Sequence, residues 1–432
     1  MSCSTHVFCL RDLMLHPNPN LVTNLTDLRS TLGLNVDSFV RCIVRLSLII
    51  AVYMMVSLAW APKSQAGSGG DPFAGWLTEA EAFPIGPNHR LQHHVNKSKT
   101  YYGTPVLIDA LLNAAAKVSE SFPDGQPMVV GNLSKKNGGD IGDSRSHNSG
   151  RDVDIVFFMT QLDGTSVRVR NHHYDEAGLS RRLPKKYTFD LNRNWRVIEA
   201  MVEDPKAPVQ WVILEPHLEV LLLKHAKGLG VPTDKLRHYA DLMTLPAYAG
   251  RHENHMHIRI QCSVKDWQER CQPTGPIWDN HSALREAIAE RSKGMATKLT
   301  SPERDERMDA IERLWAKGLS PSLKDALPLL DDSDARVRRR ARKMLIVLIN
   351  PKSAPEALSV APSLTPVSRR LVTLWVLRRG GLSALQVARE VSAGTHPTVF
   401  PKPKASTLRD LQVAARRLLV REAPVAALLG LE

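Results

Sequence analysis

Two short stretches, SHNSGRDVDI at residues 146–155 and HENHMHIRI at residues 252–260, decide the fold at the centre of this chain. In the second stretch, polar and apolar residues alternate from His255 onwards, which is the pattern of a half-buried β-strand. Because side chains two apart in a strand lie on one face, His255 and His257 share a face. In the first stretch, Asp154 lies in an apolar run that also predicts a strand.

The polar residues of these two strands predict a divided zinc site. His147 lies before the first strand, across a turn at Gly150 that can fold its loop back over the sheet. If the two strands pair, His147, Asp154 and His257 meet on one face, with His255 beside them. A catalytic zinc ion takes three such ligands and leaves one position for water.

Each part of this pattern has an ordinary alternative. A His-x-His pair in a strand is commonly a surface pair across two strands, without a metal. An Asp between Val153 and Ile155, in contrast, is costly to bury unless it is paired or bound to a metal, and this favours the zinc interpretation. The helical zincin motif His-Glu-x-x-His is excluded, since Met256 stands at its fifth position.

The two stretches resemble a known family of zinc peptidases. The patterns Ser-His-x-x-Gly-x-Asp-Val-Asp-Ile and His-x-x-His-Met-His-Ile-Arg-Ile-x-Cys are similar to those of the penicillin-insensitive murein endopeptidases, within the LAS group of metallopeptidases. Shorter segments at 102–105, 130–134 and 209–213 agree, and the resemblance covers about residues 70–275.

The resemblance implies a role for each site residue. His147, Asp154 and His257 would bind Zn²⁺, His255 would act beside the metal as general base or transition-state stabiliser, and His252 would have a second catalytic role. The chain departs from the family at Ser144, where relatives commonly have another histidine.

The expected chemistry is attack of an activated water on a peptide bond, without a covalent intermediate. A serine or cysteine nucleophile is disfavoured. The chain has no Gly-x-Ser-x-Gly motif, and no cysteine lies between residues 43 and 261.

The fold class predicted for residues 67–275 is α+β. Helical spacing of apolar residues alternates with short strand patterns, which favours a small antiparallel sheet flanked by helices, here of the LAS type. The predicted helices are 106–118, 195–202 and 218–229, and the predicted strands are 128–130, 153–159, 209–214 and 256–260.

Residues 41–66 have the pattern of a secretory signal, in which basic residues precede an apolar run and then small residues. The alternative is a membrane anchor, although the apolar run at 46–61 is shorter than the ~20 residues of a spanning helix. Residues 1–40 would be an N-terminal extension, best explained by a start codon assigned too far upstream. We therefore predict an exported, periplasmic protein.

Cysteine usage agrees with export. Once the predicted signal is removed, Cys262 and Cys271 remain, and a pair of this kind in an oxidising compartment predicts one disulfide. Two free thiols are the alternative.

Residues 276–432 are rich in Leu, Ala and Arg and predict a second, all-α domain. The part from 323 to 348 resembles one unit of a HEAT-type repeat, with an aspartate cap and an inward face formed by Val337, Ala341, Met344 and Leu345. No further copies are evident in the sequence, so an unclassified helical bundle fits equally well.

The formal net charge is +13, with the densest basic run at 336–343. A solvated helix face explains this run better than an anion-binding surface, although a cell-wall or membrane protein partner of the helical domain stays open. Nucleic-acid binding is disfavoured, because no aromatic platform accompanies the charge.

Three functions compete. The first is a zinc endopeptidase that hydrolyses the D-alanyl crosslinks of peptidoglycan, of the type between D-Ala and diaminopimelate, with peptidoglycan stem peptides as partners. The second is a LAS-type D,D-carboxypeptidase that trims stem peptides. The third is a non-catalytic helical-repeat scaffold at the cell wall, against which the complete ligand set argues.

Overall fold

The computed structural model describes residues 67–431, apart from positions 79, 143, 169, 245–249, 251, 317, 320 and 400–402. The predicted extension at 1–40 and the predicted signal or anchor at 41–66 lie outside the described residues. The strands are β1 (Gly67–Asp71), β2 (Ala74–Thr78), β3 (Glu81–Ala82), β4 (His89–Leu91), β5 (Tyr102–Gly103), β6 (Met128–Val130), β7 (Asp152–Val156), β8 (Met159–Gln161), β9 (Tyr187–Phe189), β10 (Val209–Ile213) and β11 (His255–Ile260).

Five of these strands form the central sheet, in the order β10-β11-β7-β6-β4. The pairs β10/β11, β11/β7 and β7/β6 are antiparallel, as predicted, but β4 and β6 run parallel. A parallel pair needs a long crossover connection, and the chain between β4 and β6 supplies one that contains a helix of 17 residues. The other strands form the two-stranded sheets β1-β2, β3-β5 and β8-β9.

Helices flank the sheet in the first part of the chain. They are α1 (His93–Ser98), α2 (Pro105–Ser121), α3 (Leu191–Val202), α4 (Pro216–Gly228), α5 (Thr233–Met243) and α6 (Val264–Gln268). Helix α2 begins where Thr104 accepts a hydrogen bond from the Leu107 amide and Pro105 occupies the first turn. It buries Leu107, Ile108 and Leu111 in the core that supports the sheet.

The described residues beyond Cys271 contain helices and turns but no strand. The α-helices are α7 (Ser282–Ala296), α8 (Arg304–Ala316), α9 (Leu323–Ala326), α10 (Ala335–Leu348), α11 (Ala354–Val360), α12 (Pro366–Arg379), α13 (Leu385–Ala393) and α14 (Ala405–Leu429). The predicted mixture of helices with small sheets is confirmed, whereas the LAS-type and HEAT-like assignments stay predictions.

Helix α10 has the anatomy that the sequence predicts. Asp334 caps it by accepting hydrogen bonds from the amides of Arg336 and Val337. The predicted inward face is buried, namely Val337, Ala341, Met344 and Leu345, while Arg339 and Arg340 are exposed. The basic run therefore lies on the solvent side of an amphipathic helix.

The predicted boundary at 275/276 is bridged by packing. The described residues, 67–431 with the gaps given above, belong to one compact unit. Leu382, Leu385 and Val425 belong to the same apolar cluster as the sheet, and Trp267 belongs to the cluster of the helical segment. The sheet-containing and helical parts therefore support each other, and their division into two domains stays a prediction.

Candidate metal centre and active-site cleft

The pairing of β7 with β11 places the predicted polar residues side by side. In this register, His257 lies opposite Asp154, and Arg259 lies opposite Asp152. Side chains alternate between faces along a strand, so Asp152 and Asp154 share one face with His257 and Arg259. The backbone of Asp154 is also fixed on its other side, since its amide donates to the Asn132 carbonyl at 2.9 Å.

His147 reaches this face from the loop before β7. The loop folds back at Gly150, whose φ of +70° places it in the left-handed region, and an added Cβ there would lie 2.6 Å from the Leu77 side chain. His147 itself has a φ of 70°, a sparsely populated conformation for a residue with a side chain. Its side chain is fully buried, with Nε2 3.2 Å from Oδ1 of Asp154.

The structure brings His147, Asp154 and His257 together, with one potential ligand atom of each within 4.8 Å of the others. Although Nε2 of His147 lies 3.2 Å from Asp154, neither ring nitrogen has a partner with hydrogen-bond geometry within the described part of the chain. An imidazole buried without a hydrogen bond is costly, and a metal ion at this point would remove the cost. The residues therefore fit a metal ion with two nitrogen ligands and one oxygen ligand.

A chain of buried charges lies behind His257. Its Nε2 lies 2.8 Å from Oδ1 of Asp152, and Nε of Arg259 donates to the same oxygen at 2.6 Å. Nε2 therefore carries a proton, and Nδ1, 3.1 Å from Asp154, is the nitrogen that faces the cluster. Burial opposes the charged form of His257, but the hydrogen bonds to both carboxylates outweigh it and raise its pKa to about 9.

Neither Asp152 nor Arg259 has a role predicted from the sequence. Burial would raise the pKa of Asp152, yet the charge of Arg259 and the hydrogen bond from His257 hold this pKa below its usual value. A signal for both residues was present, because each lies two positions from a predicted ligand and so shares its face. The pairing register of β7 with β11, which places Arg259 opposite Asp152, cannot be read from the sequence.

His255 lies at the edge of the cluster, with a quarter of its side chain exposed. Its Nε2 lies 3.5 Å from Oδ1 of Asp154. Its Nδ1 lies 2.6 Å from the side-chain oxygen of Asn254, so Nδ1 is the donor and Nε2 keeps a lone pair that faces the cluster. Burial lowers the pKa of His255, which favours the neutral ring.

His252 completes the group of histidines. Its ring lies 5.1 Å from that of His255 and 5.7 Å from that of His257, centroid to centroid. Its Nδ1 donates to the carbonyl of Gly250 at 2.7 Å, and burial lowers its pKa to about 4. The structure therefore places His252 and His255, the two histidines with a predicted catalytic role, beside the cluster of His147, Asp154 and His257.

A cleft of about 1260 Å³ opens in front of these residues. The cleft is lined by Asp154, His252, His255 and His257, and also by Ser144. The cleft gives an extended ligand access to the cluster.

The predicted cysteine pair follows β11 directly. Cys262 and Cys271 are joined by a disulfide, with their Cα atoms 6.1 Å apart, and both are buried. The bond closes the short segment around α6 and so ties down the end of the strand that carries His255 and His257. Among the described helices, none combines the length and the hydrophobicity that crossing a bilayer requires.

The comparison with known families supports the resemblance noted above. A search of curated protein sequences with this chain gives no significant match. The family model described as penicillin-insensitive murein endopeptidase matches residues 69–310, which extends past the predicted boundary at 275 into α8. The matched segment contains the whole histidine and aspartate cluster and spans more than half of the chain, so this peptidase belongs to the penicillin-insensitive murein endopeptidase family.

Proposed function

We propose that this protein is a zinc-dependent endopeptidase that hydrolyses D-alanyl crosslinks in peptidoglycan, of the type that joins D-Ala to diaminopimelate. The observation that carries the proposal is the convergence of His147, Asp154 and His257, with the buried nitrogens of His147 left without hydrogen bonds. Two imidazoles and one carboxylate are the donor set of many catalytic zinc sites. The family match supplies the class of substrate.

Zinc, when bound, supplies Lewis acidity that polarises a peptide carbonyl and lowers the pKa of water. The protein supplies the remaining functions. His255 accepts the proton of the attacking water at Nε2, whose lone pair is free to do so because Nδ1 donates to Asn254. His252 lies close enough to stabilise charge or to pass the proton on to the leaving amine.

Asp152 and Arg259 act on the orientation of His257. The hydrogen bond from Nε2 to Asp152 sets the tautomer and the ring plane of His257, and Arg259 holds the Asp152 carboxylate in place. Because Asp152, His257 and Arg259 are all buried, water is excluded from their hydrogen bonds. The orientation of His257 therefore persists without a bound substrate.

We also propose that the protein is exported to the periplasm. A peptidase that acts on peptidoglycan needs to reach the periplasm, and the apolar run at 46–61 within the predicted signal would take it there. The Cys262–Cys271 disulfide fits an oxidising compartment.

The test is product analysis on crosslinked muropeptide dimers. We expect the purified full chain to convert dimers into monomers, 1,10-phenanthroline to stop the reaction, and added Zn²⁺ to restore it. β-Lactams should have no effect, because they acylate an activated serine and none is used here. Loss of a terminal D-Ala alone would identify a carboxypeptidase, and binding without any product would identify a scaffold.

A further inference from the structure

The cleft in front of the histidines has a second wall that comes from outside the matched family segment. This wall is formed by Val347, Ile349, Asn350, Pro351 and Arg379, which line the same cleft as His252 and His255. They lie at the end of α10, in the turn that follows it, and at the last residue of α12. Since the family match ends at residue 310, the wall is a feature of this chain beyond that segment.

Packing fixes the wall against the catalytic part. The turn after Arg379 contains Gly381, with a φ of +53°, where an added Cβ would lie 3.0 Å from Oγ1 of Thr244 at the end of α5. Nζ of Lys352 donates to Oδ2 of Asp279 at 2.6 Å. Because Thr244 itself lines the cleft, these contacts hold the backbone that carries Arg379 at the cleft rim.

A second groove, of about 440 Å³, lies on the helical segment. Arg379 is among the lining residues of both the cleft and this groove. The groove is also lined by three further arginines, Arg378, Arg417 and Arg421. Among the described residues that line it, Asp410 is the one acidic residue. Arg421 is partly neutralised by Glu422, 2.6 Å away.

We propose that this arginine groove is a binding site for the anionic part of the peptide substrate, which would extend from the histidine cluster over Arg379 towards Arg417. The guanidinium group matches a carboxylate in geometry and charge, and Arg417 on α14 is exposed and accessible. The identity of the ligand rests on the proposed function, since peptidoglycan stem peptides carry free carboxylates. Arg379 and Arg417 are then specificity-determining residues outside the catalytic cluster.

The test compares Arg379→Gln and Arg417→Gln in the full-length zinc-loaded protein, with Arg342→Gln as matched control. Arg342 is exposed on α10 and lines neither the cleft nor the groove. We expect KM for crosslinked muropeptides to rise about 10-fold or more in each groove variant, the range of one hydrogen bond to a charged group, with kcat nearly unchanged. A substrate with its carboxylates converted to amides should bind wild type as weakly as it binds the variants.

Peptide binding is also measured without turnover, by calorimetry on variants that carry His255→Ala. This measurement tests the groove proposal independently of the proposed endopeptidase activity. Preference for the free-acid peptide that is lost in Arg379→Gln and Arg417→Gln supports the groove even if no hydrolysis is found. Equal KM and equal affinity in Arg417→Gln, Arg342→Gln and wild type would overturn the groove proposal. Arg417 is a surface residue, so this result does not depend on whether Arg379→Gln folds.

Discussion

On the β7–β11 face, four residues with titratable side chains are buried together, namely His147, Asp152, His257 and Arg259, with Asp154 between them. In the described residues beyond 276, the buried polar side chains are dispersed and mostly uncharged: His281, Ser292, Ser368, Thr373, Thr398 and Glu422. In α10 the buried positions are aliphatic or methionine, and the arginines face outwards.

Burying a charged side chain costs free energy unless a partner compensates its charge. A cluster of buried charged side chains therefore points to a functional site. The sheet face carries that cost and has the geometry of a metal site. The helical segment buries fewer such groups, with Glu422 as its one buried carboxylate among the described residues, and it contributes one wall of the cleft. Four predictions test this contrast, from the largest expected effect to the smallest.

Removal of a proposed ligand should have the largest effect. His147→Ala and His257→Ala should each lose both bound zinc and hydrolysis, because a site with three protein ligands has no spare one. Metal content by atomic emission and turnover of crosslinked muropeptides measure this. His93→Ala, at an exposed histidine on α1, is the control and should change neither. Full zinc occupancy in a ligand variant would remove that residue from the ligand set.

His255→Ala separates chemistry from metal binding. The variant should keep about one zinc per chain and lose about 10²–10⁴-fold in turnover, the range of a general acid-base group. The reason is that Nε2 of His255 faces the cluster from a partly exposed position at its edge. Loss of zinc would make His255 a ligand, and near-normal turnover would move the role to His252.

Asp152→Asn tests the buried charges behind the ligands. We expect zinc affinity to fall by about 10- to 100-fold, the range for residues that orient a metal-binding histidine. Competition with a chelator of known affinity measures it, with a thermal melt to show that the variant is folded. Asp163→Asn, at an exposed aspartate, is the control. Unchanged affinity in a folded Asp152→Asn would show that Asp152 serves stability alone.

Glu219→Gln probes the contact between the two regions and should have the smallest effect. Glu219 on α4 is buried. Its pKa lies well above the usual value, mainly because of burial and also because of the nearby charge of Glu422 on α14. A raised folded pKa means that its contribution to stability is present at low pH and is lost as pH rises through that pKa. The variant should therefore melt at a higher temperature than wild type at pH 8, with little difference at pH 4.

Glu120→Gln, at an exposed residue of α2, controls for the loss of one negative charge. A Glu219→Gln protein that is less stable than wild type at pH 8 would mean that the ionised carboxylate is favourable in the fold.

Prediction from the sequence succeeded where a property repeats along the chain. An apolar run identified β7, alternation identified β11 and the shared face of its histidines, and helical spacing identified α2, α3 and α4. The cap at Asp334 and the buried face of α10 follow from the same local rules. The roles of Asp152 and Arg259 could not be assigned in this way, because they depend on the register between two strands a hundred residues apart.

The residue types at the cluster, the turn at Gly150 and the amphipathic helices were thus set by local chain chemistry, since backbone geometry and side-chain periodicity act over a few residues. The partner of His257, the parallel pairing of β4 with β6, and the wall that brings Arg379 to the cleft arose from long-range packing. No periodicity links residue 255 to residue 379. Both line one cleft because the apolar faces of α12, α13 and α14 are buried against one another and against the sheet-containing part of the chain, which removes apolar surface from water.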